Sequence, residues 1–338
     1  MKVIIPLAGK GTRLRPHTHT RPKPLMHVAG KPVLGHILDK IKAELPEVKE
    51  IVFITGHLKE KIEEYVKGYD FDCTFVEQKV TDGTAGAIRL AEPFCNEPIL
   101  IIFVDTIFDA DLSAIEKCDK VGSDGIIWVK EVEDYQRFGV VLVKDGFMTK
   151  IVEKPSEPIS KLANIGLYYI KNYRSLFEKI AALYQKDIKT KGEYFLTDAF
   201  ELMIQDKKRI QVIEVEGWYD CGKAETLIET NRVLLGKMNA VKKGKDVKIT
   251  NSVIIPPVAM EDGVEIINSV IGPYVSIAKG AIIDHCIIKD SIINERARLT
   301  RVELADSLIG EDAIIIDTSK KLNVGDHSEI KIQNEDIA

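Results

Sequence analysis

The stretch PLAGKGTRLRPHTHTRPKPL, Pro6 to Leu25, follows a short apolar run, KVII, with a glycine-rich loop crowded with cations. The chain of 338 residues carries a formal net charge of -5, yet no Asp or Glu precedes Asp39. Lys2, Lys10, Arg13, Arg15, Arg21, Lys23 and Lys31 all fall before it, and this local excess predicts an anionic ligand. A buried strand running into glycines puts backbone N–H groups where phosphate oxygens can approach. Two familiar glycine loops are excluded by spacing. G-x-x-x-x-G-K-[ST] fails because Lys10 precedes Gly11, and G-x-G-x-x-G fails because Leu14 stands where the third glycine is needed. Pro16, Pro22 and Pro24 keep the segment out of a helix, so its cations ride on a pinned loop.

Outward from that loop, short apolar runs alternate with amphipathic stretches. VLGHILDKIKAEL puts Leu34, Ile37, Leu38, Ile41 and Leu45 on one helical stripe. IVFIT, TFVEQ and PILIIFVD read as strands, with KEKIEEYV and GTAGAIRLAEPF as helices between them. The alternation predicts an α/β fold with a mostly parallel sheet covered on both faces. From DGIIWVK through FGVVLVK to MTKIVEK strands dominate, so an antiparallel patch is expected on that sheet. Helices return at YRSLFEKIAALYQ, YFLTDAFELMIQ and KAETLIETNRVLLGKM.

After about Lys245 aliphatic residues recur every six positions. IGPYVS begins at Ile271, IAKGAI at Ile277, IDHCII at Ile283, IGEDAI at Ile309 and VGDHSE at Val324. The fifth place is small or aliphatic at Val275, Ala281, Ala313 and Ser328. This period predicts a short parallel β-helix, three strands to a coil. The expected division is a first domain over 1–238, a lysine-rich linker over 239–250, the β-helix over 251–331 and a tail over 332–338. Between Asp290 and Asp306 the repeat is imperfect and the pattern leaves the coil boundaries open.

Composition narrows the class. Hydrophobic content of 45% with 29% charged residues is that of a soluble globular protein. The opening MKVIIPLAG breaks at Pro6, too early for a signal segment or a membrane span, so no membrane association is expected. Cys73, Cys95, Cys118, Cys221 and Cys286 are scattered and odd in number, which predicts reduced thiols, a cytoplasmic location and no zinc site. Mild acidity argues against nucleic-acid binding, which needs a broad basic face. His17 and His19 have no nearby third ligand and read as loop residues.

AGKGTRLRP and RPKPL are followed in order by EQKVTDGTAGA, FVDTIFD, FGVV, VEKP, NIGLYYI and GWYDCG. This series resembles that of the sugar-1-phosphate nucleotidyltransferases, over roughly residues 1–236. The resemblance implies a Rossmann-like mixed sheet for this domain and a left-handed β-helix for the hexads, an extension common in the family. It implies that Leu7, Ala8, Gly9, Gly11 and Thr12 line a triphosphate, with Arg13 neutralising the departing pyrophosphate. Lys23 would bridge the α-phosphate and the incoming sugar phosphate. Gln78 would read a base edge, beside Gly83 and Thr84. Asp105 and Asp220 would hold Mg2+, Glu153 the sugar hydroxyls and Lys154 the sugar phosphate. Gly139, Asn164 and Gly166 would line the sugar pocket. Val104 replaces a glycine found before the metal aspartate in many members, His17 a commoner leucine, and the first loop is one residue shorter than in typical thymidylyltransferases.

Transfer of a nucleotidyl group needs no general base, because a phosphate monoester with a second pKa near ~6 is already mostly dianionic at neutral pH. Its obstacle is repulsion between two polyanions, which cations and a metal offset. Gln78 and the short loop resemble enzymes using UTP or dTTP, and glucose 1-phosphate is the default sugar of the family. GTAGA also resembles guanylyltransferases acting on mannose 1-phosphate. A non-catalytic regulatory subunit and a hexapeptide acyltransferase are the readings from other classes. The β-helix is expected to mediate homo-oligomer contacts, so that removing residues 245–338 would change the mass and leave the nucleotide site largely intact.

Overall fold

The structure, a computed structural model, describes residues 1–118, 120–319 and 323–331. Two compact units emerge. The first holds Met1–Lys10 and Ile37–Trp218, the second Gly11–His36 together with the chain from Tyr219 onward. The cationic loop therefore groups with the hexad repeats, not with the sheet whose strand leads into it. The expected tail, 332–338, lies outside the described residues.

The first unit is built on a nine-stranded mixed sheet. Its strands are β1 (Lys2–Pro6), β2 (Glu50–Thr55), β3 (Asp72–Glu77), β4 (Ile99–Ile102), β5 (Gly125–Glu131), β6 (Gly139–Lys144), β7 (Phe147–Glu153), β8 (Leu162–Ile170) and β9 (Ile210–Glu214). Their order is β3-β2-β1-β4-β8-β5-β9-β7-β6. The first four are mutually parallel. β8 runs antiparallel to β4 and β5, and β7 antiparallel to β6 and β9, which is the antiparallel patch expected from the strand-rich middle of the sequence. All residues of β1 and β4 are buried, because central parallel strands are covered on both faces. The helices Thr84–Arg89, Tyr173–Gln185 and Leu196–Gln205 contribute Ile88, Leu176, Ile180, Leu183, Phe200 and Met203 to one core with Ile4, Val52, Ile101 and Ile127. Asn172 caps the second of these, its Oδ1 accepting the Ser175 N–H at 3.2 Å.

The second unit is a parallel β-helix with the Gly11–His36 segment and the helix Ala224–Met238. Parallel pairings stack Val258 on Val241, Val275 on Val258, Ile292 on Ser276 and Leu308 on Ile292. Val241–Lys243 and Lys248–Thr250 already belong to the first coil, so the segment expected to be a linker is strand. A strict hexad would give coils of about eighteen residues. Equivalent positions instead lie 17 residues apart at Asn251 and Asn268, 16 apart at Arg301 and Asp317, and 15 apart at Glu311 and Asp326. The shortening accounts for the irregular pattern between Asp290 and Asp306. Corners turn through left-handed residues. Asn251, Asn268, His285, Arg301 and Asp317 form one column with φ of 46–57°, and the short polar Asn and Asp tolerate that conformation best among side-chain-bearing residues. Inside, Val275, Ala281 and Ala313 are fully buried, as the small fifth position requires.

Candidate active site

In the first unit β1 delivers Leu7 and Ala8 into buried positions, the Leu7 N–H donating to the Ile54 carbonyl at 2.7 Å. Gly9 follows in the open, where an added Cβ would meet no protein atom within 4 Å. Gln78 leaves the end of β3 with its N–H on the Thr55 carbonyl at 2.8 Å and its side-chain amide reaching the Gly83 carbonyl at 3.5 Å. Gly83 has φ 122°, and a Cβ there would lie 2.3 Å from the Tyr194 carbonyl oxygen. The chain's own backbone thus demands glycine at this position. Thr84 is also committed internally, its hydroxyl accepting the Leu196 N–H at 2.9 Å. These contacts tie the Gln78 loop to the start of the helix Leu196–Gln205.

A second cluster forms where β6, β7 and β8 meet. Gly139 at the start of β6 pairs with Glu153 at the end of β7. The Asn164 amide donates to the Gly139 carbonyl at 2.9 Å, and the Tyr168 hydroxyl donates to Asn164 Oδ1. A Cβ on Gly139 would stand 2.4 Å from Asn164 Nδ2, 2.7 Å from Thr197 Cγ2 and 2.9 Å from Glu153 Oε2. The side chains of Asn164, Thr197 and Glu153 therefore converge on one spot that only glycine leaves accessible. Between Asn164 and Tyr168 the register of β8 on β5 shifts, a bulge that re-aims Asn164. Gly166 sits in that bulge at φ 78°, its carbonyl accepting the Phe103 N–H at 2.8 Å, and an added Cβ there would lie 2.8 Å from Phe103 Cβ. Burial raises the Glu153 carboxyl above its ordinary range, opposed by the Thr197 hydroxyl donating to Oε2 at 2.9 Å and by the Lys154 charge. Lys154 Nζ lies 3.8 Å from Glu153 Oε1 and 4.6 Å from the centre of the Phe195 ring. Trp218, half-buried, packs edge-on against Phe138 with ring centroids 4.9 Å apart.

In the second unit the cationic segment makes three short turns, Thr12–Leu14, His17–His19 and Lys23–Leu25. The Thr18 hydroxyl donates to the Gly11 carbonyl at 2.9 Å and fixes the approach to Thr12 and Arg13, both exposed. Arg13 and Asp220 come together around Gly222, where an added Cβ would be 2.8 Å from Asp220 Oδ1 and 3.3 Å from Arg13 Nη2. Asp220 Oδ1 accepts the Gly222 N–H at 2.8 Å. Lys23 is half-buried at the head of its turn.

Some of the early cations are paired within the protein. Lys2 pairs with Glu50. Arg21 is buried, its guanidinium on Glu295 and, at 2.9 Å, on Glu311 of the β-helix. Burial would raise the Glu311 carboxyl, but hydrogen bonds from Arg21 and Arg296 outweigh it and hold the group down at about 2. His17 is buried with Nε2 2.5 Å from Asn323 Oδ1, and burial lowers its pKa, in keeping with a structural role. Because the β-helix grips this segment, its removal would not leave the loop as it is. Sequence reasoning missed Thr197 and Tyr168, and it counted Arg21 among the cations for an anionic ligand although protein carboxylates already hold it. Thr197 was hidden in a stretch read only as helix, and Glu311, although it sits in the hexad IGEDAI, gives no sign along the chain that it pairs with Arg21.

Asp105 follows β4 and is exposed, while Asp220 is half-buried. Two carboxylates supply the hard oxygen donors that Mg2+ takes, usually one or two from protein with phosphate oxygens and water completing the shell. The donor types fit that ion. Among the described residues no group of three or more His, Cys, Asp or Glu could hold a metal. No helix among them is long and apolar enough to cross a membrane.

Residues 2–236 match the family described as Nucleotidyl transferase. The chain belongs to that family. Among curated relatives it is 38% identical to the bifunctional protein GlmU of Methanocaldococcus jannaschii over 78% of this chain and 61% of the relative. It therefore spans about three fifths of that relative's length. It is 32% identical to the UTP–glucose-1-phosphate uridylyltransferase AglF of Haloferax volcanii over 69% of this chain and 96% of that one. Among solved structures, a UDP-glucose pyrophosphorylase complexed with UDP-glucose superposes with a TM-score of 0.60 at 25% identity, covering 70% of this chain and 98% of the other. A putative glucose-1-phosphate thymidylyltransferase from Bacillus anthracis gives the same TM-score of 0.60 at 28% identity, covering 69% and 94%. This member of the nucleotidyl transferase family thus carries its matched region across both units, with the β-helix lying mostly beyond it.

Proposed function

We propose that this chain transfers a nucleotidyl group from UTP or dTTP to a sugar 1-phosphate, glucose 1-phosphate by default, releasing pyrophosphate in an Mg2+-dependent reaction. The convergence of Gly139, Glu153, Asn164 and Thr197 carries the reading, because a buried carboxylate flanked by an amide and two hydroxyls suits a ring of sugar hydroxyls. The activities named for the AglF and UDP-glucose pyrophosphorylase relatives favour uridylyl transfer to glucose 1-phosphate.

Each residue then has a physical task. Glu153 binds sugar hydroxyls, with Asn164, Gly139 and Gly166 shaping the pocket, and Lys154 pairs with the sugar phosphate. Backbone at Leu7, Ala8, Gly9, Gly11 and Thr12 takes phosphate oxygens, Gln78 reads the base with Gly83 and Thr84 behind it, and Arg13 offsets charge on the leaving pyrophosphate. Lys23 holds the α-phosphate against the attacking oxygen. Asp105 and Asp220 are the residues assigned to Mg2+, which when bound would neutralise phosphate charge. The attacking phosphate oxygen is a dianion at neutral pH with its second pKa near ~6, so no side chain has to remove a proton. Holding attacker, phosphorus and leaving group in line against their repulsion is what the cations contribute.

The test is a matrix of UTP, dTTP, GTP, ATP and CTP against glucose, mannose and N-acetylglucosamine 1-phosphates, scored by pyrophosphate release. Turnover should require Mg2+ and both substrates. Release of thiol from acetyl-CoA in place of pyrophosphate would point to an acyltransferase, and no turnover with any pair to a regulatory subunit. Self-association through the β-helix belongs to the same reading and is checked by light scattering on the full chain.

A further inference from the structure

The acids that hold Arg21 are not scattered. Backbone hydrogen bonds stack Glu295 over Glu311 and Glu311 over Asp326, through Asp312 N–H to the Glu295 carbonyl at 2.9 Å and His327 N–H to the Glu311 carbonyl at 2.7 Å. These three residues therefore occupy one column at a corner of successive coils. Every member engages the Gly11–His36 segment. Glu295 and Glu311 accept from Arg21, and Asp326 accepts from the Thr20 hydroxyl. Asp326 also accepts the Glu311 N–H at 2.7 Å, which fixes its own orientation. His27 lies 2.8 Å from Glu261 and 3.5 Å from Glu295, and Gly325 packs so closely that an added Cβ would stand 2.8 Å from Pro16.

Arg21 in turn reaches the turn that bears Lys23. Its Nη1 donates to the Leu25 carbonyl at 3.3 Å, and the Met26 N–H closes the same turn on the Lys23 carbonyl at 3.0 Å. A buried guanidinium held by two carboxylates has little rotational freedom, and a forked bidentate contact fixes direction as well as distance. Without the column the segment would keep its prolines and the contacts of His17 and Pro16 but lose the carboxylates that hold Arg21 and Thr20.

We propose that the acidic corner column Glu295–Glu311–Asp326 positions the cationic loop for its nucleotide, so that the β-helix sets nucleotide affinity through Arg21 and Thr20. This rests on the nucleotidyl-transfer reading, in which Arg13 and Lys23 meet the triphosphate. Glu295, Glu311 and Asp326 are positioning residues that touch no substrate.

The experiment compares the full-length wild type with Glu295→Gln, Glu311→Gln and the double variant. Amide hydrogen exchange is measured across 11–28, and steady-state pyrophosphate release with UTP and dTTP against glucose 1-phosphate. The double variant should lose about tenfold or more of the protection in 11–28 while β4 and β5 exchange as in the wild type. Its KM for the nucleotide should rise about tenfold or more, with the KM for the sugar phosphate within about twofold. Unchanged protection in 11–28 overturns the proposal. So does a loss of protection or of kcat spread evenly over the chain and both substrates, which is the mark of general destabilisation. A wild type that releases no pyrophosphate with any substrate pair defeats the functional reading instead, and the loop exchange then decides on the column by itself.

Discussion

Replacing Glu311 by Gln should weaken the chain at neutral pH and scarcely change it in strong acid. The wild-type carboxyl is held at about 2 against an ordinary 4.5, since the Arg21 and Arg296 hydrogen bonds overcome the opposing effect of burial. A depressed carboxyl adds stability that is fully present above its unfolded pKa and is lost as pH falls from there through the folded value. The gap of roughly 2.5 units corresponds to about 3 kcal/mol at ~1.36 kcal/mol per unit. The Glu311 side chain is 14% exposed, so solvent screening takes a modest part of this and about 2–3 kcal/mol remains. Urea unfolding of both proteins at steps between pH 7 and about 2 measures the difference, with far-UV circular dichroism as the probe. Tryptophan fluorescence is the wrong signal, because Trp128 and Trp218 both lie in the first unit. The stability gap should be widest above pH 5 and close towards pH 2. A gap that stays level across the titration, or widens in acid, refutes the ion-pair account of Glu311.

Other outcomes follow from single contacts. Gly83→Ala should cost ~3 kcal/mol or more in chemical unfolding, since its Cβ would fall 2.3 Å from the Tyr194 carbonyl oxygen; wild-type stability would mean that the two backbones can part. Gly139→Ala should raise the KM for the sugar phosphate about tenfold and leave that for the nucleotide within about twofold, and equal changes in both would remove Gly139 from the sugar pocket. Thr197→Val deletes a hydrogen bond that lowers the Glu153 pKa, so the acid limb of kcat/KM should move to higher pH; a stationary limb would show that ionised Glu153 is not needed. Asp105→Asn should abolish pyrophosphate release with little change in the circular dichroism melt, and near-normal turnover would cancel the metal assignment.

Much of the fold was legible because periodicity reports burial directly. KVII and ILII are continuous apolar runs, and they are the central parallel strands β1 and β4. The hexads announced a β-helix through the small buried positions Val275, Ala281 and Ala313. Coil length was harder to read, because one residue can be dropped at a corner without disturbing the inward face. The lysines of 239–250 suggested a linker because strands at the outer end of a solenoid expose much of their surface.

The order of motifs and the donor types of the site, carboxylate, amide, guanidinium and ammonium, were set by the amino-acid sequence alone, since chemical identity is local. Which cation stands exposed and which is already paired with a carboxylate was decided only in three dimensions. Arg13 and Arg21 are the same residue type eight positions apart, yet one is exposed near Asp220 and the other is buried on Glu295 and Glu311. The difference arises because ion pairing depends on distance through space, and the Arg21 partners lie 274 and 290 residues away along the chain.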